Sequence, residues 1–171
     1  MPQNDQALLM RLKDSGVEFV VIGGLCVVYH GVPVATFELN ICCPFGEENV
    51  LKIESAVKDL NPVHRLTANK LPLELTRSSF VSLKNLYLQT DLGKLDCLSE
   101  VAGIGDYGQV FQQSILHSMS FGKFRMLNLD ALIAAKTAAG RQKDLDAVRL
   151  LQAVKERKAQ QKGLPCGSSK C

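Results

Sequence analysis

The chain has 171 residues, with 20 lysines and arginines against 17 aspartates and glutamates, for a formal net charge of +3. Hydrophobic residues make up 46% and charged residues 22%, the balance of an ordinary globular domain long enough to bury a core. So small a basic surplus argues against a nucleic-acid binder that works by bulk charge, and no apolar run reaches the roughly 18 residues needed to cross a bilayer.

The start, MPQNDQALLM, lacks the basic segment and apolar stretch of a signal peptide, so the chain is expected in the cytoplasm, off the membrane. The cysteines fit that compartment. Cys26, Cys42 and Cys97 sit in apolar runs and read as reduced core residues. Cys43 follows Cys42 directly, Cys166 and Cys171 lie in the tail, and no CxxC occurs.

The first helix is expected to begin near Asn4, a good N-cap, and to stop before Gly16, with Leu8, Leu9 and Leu12 as its buried stripe. Val17 to Ile22 is apolar and β-rich, which suits a central strand. Gly23-Gly24 breaks it, and a short helix is expected over Leu25–Tyr29. Phe37–Cys43 alternates as a second strand stopped by Pro44. Val50, Ile53, Val57 and Leu60 repeat at helical spacing within 46–60. Pro62 and Pro72 predict loop and short pieces over 61–80.

Hairpins are expected at 86–98, turning at Thr90–Gly93, and at 114–127, turning at Phe121-Gly122. Between them, Gly103 to Gly108 resembles a glycine-rich phosphate loop, but reads as a flexible loop beside a cleft because no buried strand precedes it. Helices over 128–139 and 142–160 close the chain, the second with Leu145, Val148, Leu151 and Val154 on one face. The expectation is a single α+β (α/β) domain over 1–160, a mixed sheet flanked by helices with C-terminal helices, and a flexible tail over 161–171.

Four places could carry chemistry. Gly23 and Gly24 would let backbone N–H groups approach a phosphate without a Cβ in the way, although a tight turn needs them equally. Glu38 and Asn40 share a face at strand spacing, where a carboxylate pair could hold Mg²⁺; Asn40 offers only a neutral oxygen. Asp96, flanked by apolar residues, would join them as base or ligand if its strand lies beside 37–43. Lys136, Arg141 and Lys143, with Asp144, could meet phosphates or form a solvated helix face. His30, His64 and His117 are too dispersed for a metal site, and Tyr29, Tyr87 and Tyr107 give no platform for single-stranded nucleic acid.

In this order the pieces resemble the DNA polymerase beta nucleotidyltransferase superfamily. The likeness is greatest to its small bacterial members: the minimal nucleotidyltransferases, the abortive-infection type IV toxin group and the lincosamide-type enzymes. The carriers are Val20-Val21-Ile22-Gly23-Gly24-Leu25, then Tyr29 to Thr36 (YHGVPVAT), Phe37-Glu38-Leu39-Asn40-Ile41, the later carboxylate Asp96, and 136–144 (KTAAGRQKD). The departures fall on the chemistry: Val34 stands where relatives have Arg, and Glu38 and Asn40 where they have the two aspartates of Asp-x-Asp.

The resemblance implies transfer of an NMP from an NTP to a hydroxyl or phosphate of a small molecule, RNA or protein. Glu38, Asn40 and Asp96 would hold Mg²⁺, Asp96 would act as base, and Gly23, Gly24, Lys136, Arg141 and Lys143 would meet the nucleotide. It equally implies an alternative, in which Asn40 and Val34 mark a chain that kept the fold and binds a nucleotide or partner protein without turnover, as an antitoxin-like or regulatory module with weak or absent Mg²⁺. Self-association as a homodimer, through an apolar patch or strand edge, is a further expectation.

Overall fold

A computed structural model describes residues 3–76 and 79–163. Asn4 accepts a hydrogen bond from the Ala7 N–H and caps α1 (Asp5–Asp14). Leu8, Leu9 and Leu12 are fully buried, as their spacing predicts. Gly16, with φ 71°, turns the chain toward β1 (Val20–Ile22), the buried end of the predicted strand. α2 (Gly23–Tyr29) follows at once, so the two glycines form its first turn instead of a separate break before Leu25.

β2 (Leu39–Cys42) is shorter than expected, and Glu38 stands in the bend at its mouth. α3 (Glu47–Val57) buries Val50, Ile53 and Val57. The proline-bounded stretch yields short pieces, as expected: β3 (Val63–His64), an isolated bridge between Val63 and Pro72, and the start of α4 (Ser79–Ser82). β4 (Asn85–Thr90) and β5 (Gly93–Leu98) form the predicted hairpin.

Residues 100–112 differ most from the sequence expectation. Instead of a flexible loop they form a ribbon of β6 (Glu100–Val101) and β7 (Gly105–Asp106), leading into α5 (Tyr107–Gln112). The Asp106 carboxylate accepts from the Gln109 N–H, and the Gln109 side chain accepts from the Asp106 N–H, both at 3.0 Å. This capping box fixes a helix start that the neighbouring glycines obscure in the sequence.

β8 (Ser114–Met119) and β9 (Gly122–Leu127) form the second hairpin. α6 (Leu129–Ala139) is capped by Asn128 and ended by Gly140 in the left-handed conformation. α7 (Gln142–Gly163) takes in the first residues of the expected tail; 164–171, with Cys166 and Cys171, lie outside the described residues. Its buried positions are Asp144, Ala147, Val148 and Leu151, whereas Leu145 is 36% exposed. Of the predicted stripe, Val148, Leu151 and Val154 face inward, and Leu145 alone stands outside the buried face that runs through Asp144.

Among the described residues the main sheet has seven strands in the order β3-β4-β5-β2-β1-β9-β8. β2 pairs antiparallel with β1 and parallel with β5, and β1 pairs parallel with β9. The fold is α+β, a mixed sheet flanked by helices, as the element order predicts. α1 packs on α3, α6 on α7, and α2 on β1, β2 and α6. Cys26, Cys42, Cys43 and Cys97 are buried free thiols, and burial pushes Cys26 and Cys42 up to about 12, where they are unreactive. β8 ends the sheet with Ile115 and Leu116 exposed. Among the described residues no helix is long and apolar enough to cross a membrane.

Candidate functional site

The sheet's register assembles the site. On β2, Leu39 and Ile41 point into the core with no exposure, so Glu38 and Asn40 face the other way. Asn40 lies opposite Ile22 on one side and Asp96 on the other, and Asp96 lies opposite Tyr87. The condition set by the sequence, that the Asp96 strand lie beside β2, is met. Gly23, Gly24, Glu38, Asn40, Asp96, Lys136, Arg141 and Lys143 all line one cleft of about 630 Å³.

The diglycine has a local explanation. Gly23 has φ 73°, and a Cβ there would sit 2.9 Å from Asn40 Cβ; a Cβ on Gly24 would sit 3.0 Å from Thr36 Cγ2. The glycines make room for Asn40 and Thr36. Gly23→Ala is expected to cost about 1–2 kcal/mol from backbone strain alone, with the Asn40 contact adding to it. Urea unfolding is the measurement, with a lowered midpoint and unchanged slope expected.

The acidic end of the cleft centres on Arg65, just past β3. Its Nε donates to Asp96 Oδ1 at 3.0 Å, and its Nη2 to Asp96 Oδ2 at 2.5 Å. The same Nη2 lies 3.5 Å from Glu38 Oε2. The guanidinium carbon stands 5.5 Å from the Tyr87 ring centroid, and the Arg65 N–H donates to the Tyr87 carbonyl at 2.9 Å. Asp96 is 4% exposed. Burial pushes its carboxyl above the ordinary value; Arg65 draws it back and Glu38 adds to the rise, leaving the net upward. The Asn40 amide donates to the Glu38 carbonyl at 3.4 Å.

The basic end is organised by Asp144, which has no exposed surface. Lys136 Nζ donates to its Oδ1 at 2.6 Å and Arg141 Nε to its Oδ2 at 2.5 Å. Burial pushes the Asp144 carboxyl up, but the bonds from Arg141 and Lys136 outweigh this and hold it below the ordinary value. Among the described residues no carboxylate pairs with Lys143.

A divalent ion takes carboxylate oxygens at about 2.0–2.6 Å, and a guanidinium seated on the same oxygens opposes its charge. Both Asp96 oxygens are engaged by Arg65, Asn40 is neutral, and among the described residues no three His, Cys, Asp or Glu form a group that could hold a metal. The donor set does not fit the two-metal arrangement that the Asp-x-Asp resemblance implies. The histidines stay apart: His30 bonds the Leu127 carbonyl, His117 meets the Tyr29 ring at a 53° tilt, and His64 is in β3.

Arg65 also lines the cleft, as do Thr36, which ends the segment that carries the resemblance, and Tyr87. No local signal marks Arg65, because its place depends on the long-range pairing of β3 with β4.

No protein-family model and no curated protein matches the chain. Among solved structures it is similar to ANT(2")-Ia, determined in complex with adenylyl-2"-tobramycin, at 14% identity over 90% of this chain and 92% of that chain, with a TM-score of 0.54. It is also similar to a nucleotidyltransferase candidate from Thermotoga maritima, at 20% identity over 91% and 89% of the two chains, with a TM-score of 0.50. Identities this low speak to architecture, and the architecture is the nucleotidyltransferase fold.

Proposed function

We propose that the chain is a nucleotide-binding protein of nucleotidyltransferase fold that takes its phosphorylated ligand without a divalent metal and does not turn it over, in the manner of a regulatory or antitoxin-like module. One observation carries this reading: Arg65 holds Asp96 through two hydrogen bonds and reaches Glu38 at 3.5 Å. A guanidinium neutralises carboxylates but cannot polarise a hydroxyl or phosphoryl oxygen as a Lewis acid does. With both Asp96 oxygens held by Arg65 and Asn40 neutral, the acidic end lacks the carboxylate pair that would hold a metal to activate an acceptor or stabilise a departing pyrophosphate.

Calorimetry with nucleotides, first in EDTA and then in Mg²⁺, tests it. Binding of a nucleoside monophosphate in EDTA that changes less than about twofold on adding Mg²⁺ is expected, a difference under about 0.4 kcal/mol. Transfer from radiolabelled NTPs to a panel of small-molecule, RNA and protein acceptors should stay at background. Label transfer at an ordinary enzymatic rate, roughly 1 s⁻¹ or more, would replace this reading with the active one, in which Glu38, Asn40 and Asp96 hold Mg²⁺ and Asp96 is the base. The convergence of Glu38 and Asp96 on one guanidinium nitrogen is what favours that second reading.

A further inference from the structure

The charge in the cleft is divided unevenly along its length. At the basic end, Lys136 and Arg141 share the single buried carboxylate of Asp144, and Lys143 adds a third cation, which leaves an excess of two positive charges. At the acidic end, Arg65 stands against both Asp96 and Glu38, which leaves an excess of one negative charge. That excess resides on Glu38, because Asp96 takes both hydrogen bonds from Arg65 while Glu38 has only a 3.5 Å ion pair and a side chain 31% exposed.

We infer that the cleft selects a phosphate monoester over a triphosphate, with the dianionic phosphate at Lys136, Arg141 and Lys143 and a hydroxyl-bearing sugar donating to Glu38. This deepens the metal-free reading proposed above and rests on it. A phosphate monoester carries close to two negative charges near neutral pH, matching the excess at the basic end. A free triphosphate carries about twice that charge, and no metal ion would offset it. Its additional phosphates would either leave the cleft or approach Glu38, where like charges repel most strongly at close range and low effective dielectric. Glu38 can instead accept hydrogen bonds from neutral hydroxyls, and charge-assisted bonds are the stronger kind. A cleft of about 630 Å³ has room for a nucleotide or a smaller sugar phosphate.

The test is calorimetry in EDTA on the full chain with four probes: AMP, ribose 5-phosphate, inorganic phosphate and ATP. AMP is expected to bind at least about tenfold more tightly than ATP, and Lys143→Gln to weaken AMP by about tenfold. Lys143 is exposed, so that variant should fold, which circular dichroism verifies. Glu38→Gln should narrow the gap between AMP and ATP by removing the repelling charge. Ribose 5-phosphate binding close to AMP identifies a sugar phosphate as the ligand class; AMP binding well above it identifies a nucleoside monophosphate. ATP binding in EDTA as tightly as AMP overturns the selectivity and leaves metal-free binding standing. Nucleotide binding that appears only with Mg²⁺, or no binding by any probe, overturns the metal-free reading and this inference with it.

Discussion

Asp144→Ala is expected to lower stability by about 3–5 kcal/mol at neutral pH, because removing one partner of a buried ion pair leaves the other charge uncompensated. Lys136 would be the stranded group: its side chain is 14% exposed, whereas Arg141 is 61% exposed and can turn to water. The loss also undoes the corner between α6 and α7, since the carboxylate joins Lys136 on α6 to Arg141 across Gly140. For a chain of this size the melting temperature should fall by roughly 10 °C, read by circular dichroism.

The pH dependence fixes the cause. The Asp144 carboxyl is held below the ordinary value of 3.8, so its stabilisation is fully present above that value and is lost as pH falls through the folded-state value. The gap between wild type and variant should therefore be constant from pH 7 to 5 and shrink below about pH 3.8. Asp96 runs the other way: its carboxyl is raised in the fold, so its ionisation takes stability away as pH rises above 3.8. A gap that does not depend on pH would show that Asp144 acts through packing alone.

What the sequence made legible follows how local each signal is. α1 could be read because its cap at Asn4 and its stripe of Leu8, Leu9 and Leu12 are complete within one segment. The β4–β5 hairpin could be read because its turn and both strands are contiguous. The juxtaposition of Asp96 with Glu38 and Asn40 is conditional on strand pairing, and the order of motifs in the resembled family supplied that pairing as an expectation. Arg65 escaped because nothing near it announces a strand; His64 and Val63 join the sheet only through Leu88 and Gln89. Asp144 was visible next to Arg141 at helical spacing, but its bond to Lys136 crosses the left-handed turn at Gly140 and cannot be seen in any helical period. Both omissions concern the counter-ions, so the sequence placed the charges in one cleft without showing how they neutralise one another.

That partition leads to the second large effect, on metal binding. Restoring the second carboxylate by Asn40→Asp is expected to be insufficient by itself, because Arg65 still holds both Asp96 oxygens and its Nη2 would draw in the new carboxylate as well. Mn²⁺ titration by electron paramagnetic resonance should show little gain over wild type. Arg65→Ala alone frees Asp96 but leaves a carboxylate that is 4% exposed without its partner, at a stability cost of about 3 kcal/mol. The double variant, Asn40→Asp with Arg65→Ala, places three free carboxylates around one point, a hard oxygen set suited to Mn²⁺ or Mg²⁺. It should bind Mn²⁺ at least tenfold more tightly than either single variant, a coupling of about 1.4 kcal/mol or more. Its melting temperature should rise with added Mn²⁺, since an ion that binds only the folded state stabilises it. Equal Mn²⁺ affinity in Asn40→Asp and in the double variant would mean that Arg65 yields its carboxylates to a metal readily, and the cleft would then be short of a single charge on β2, with no internal cation in the metal's place.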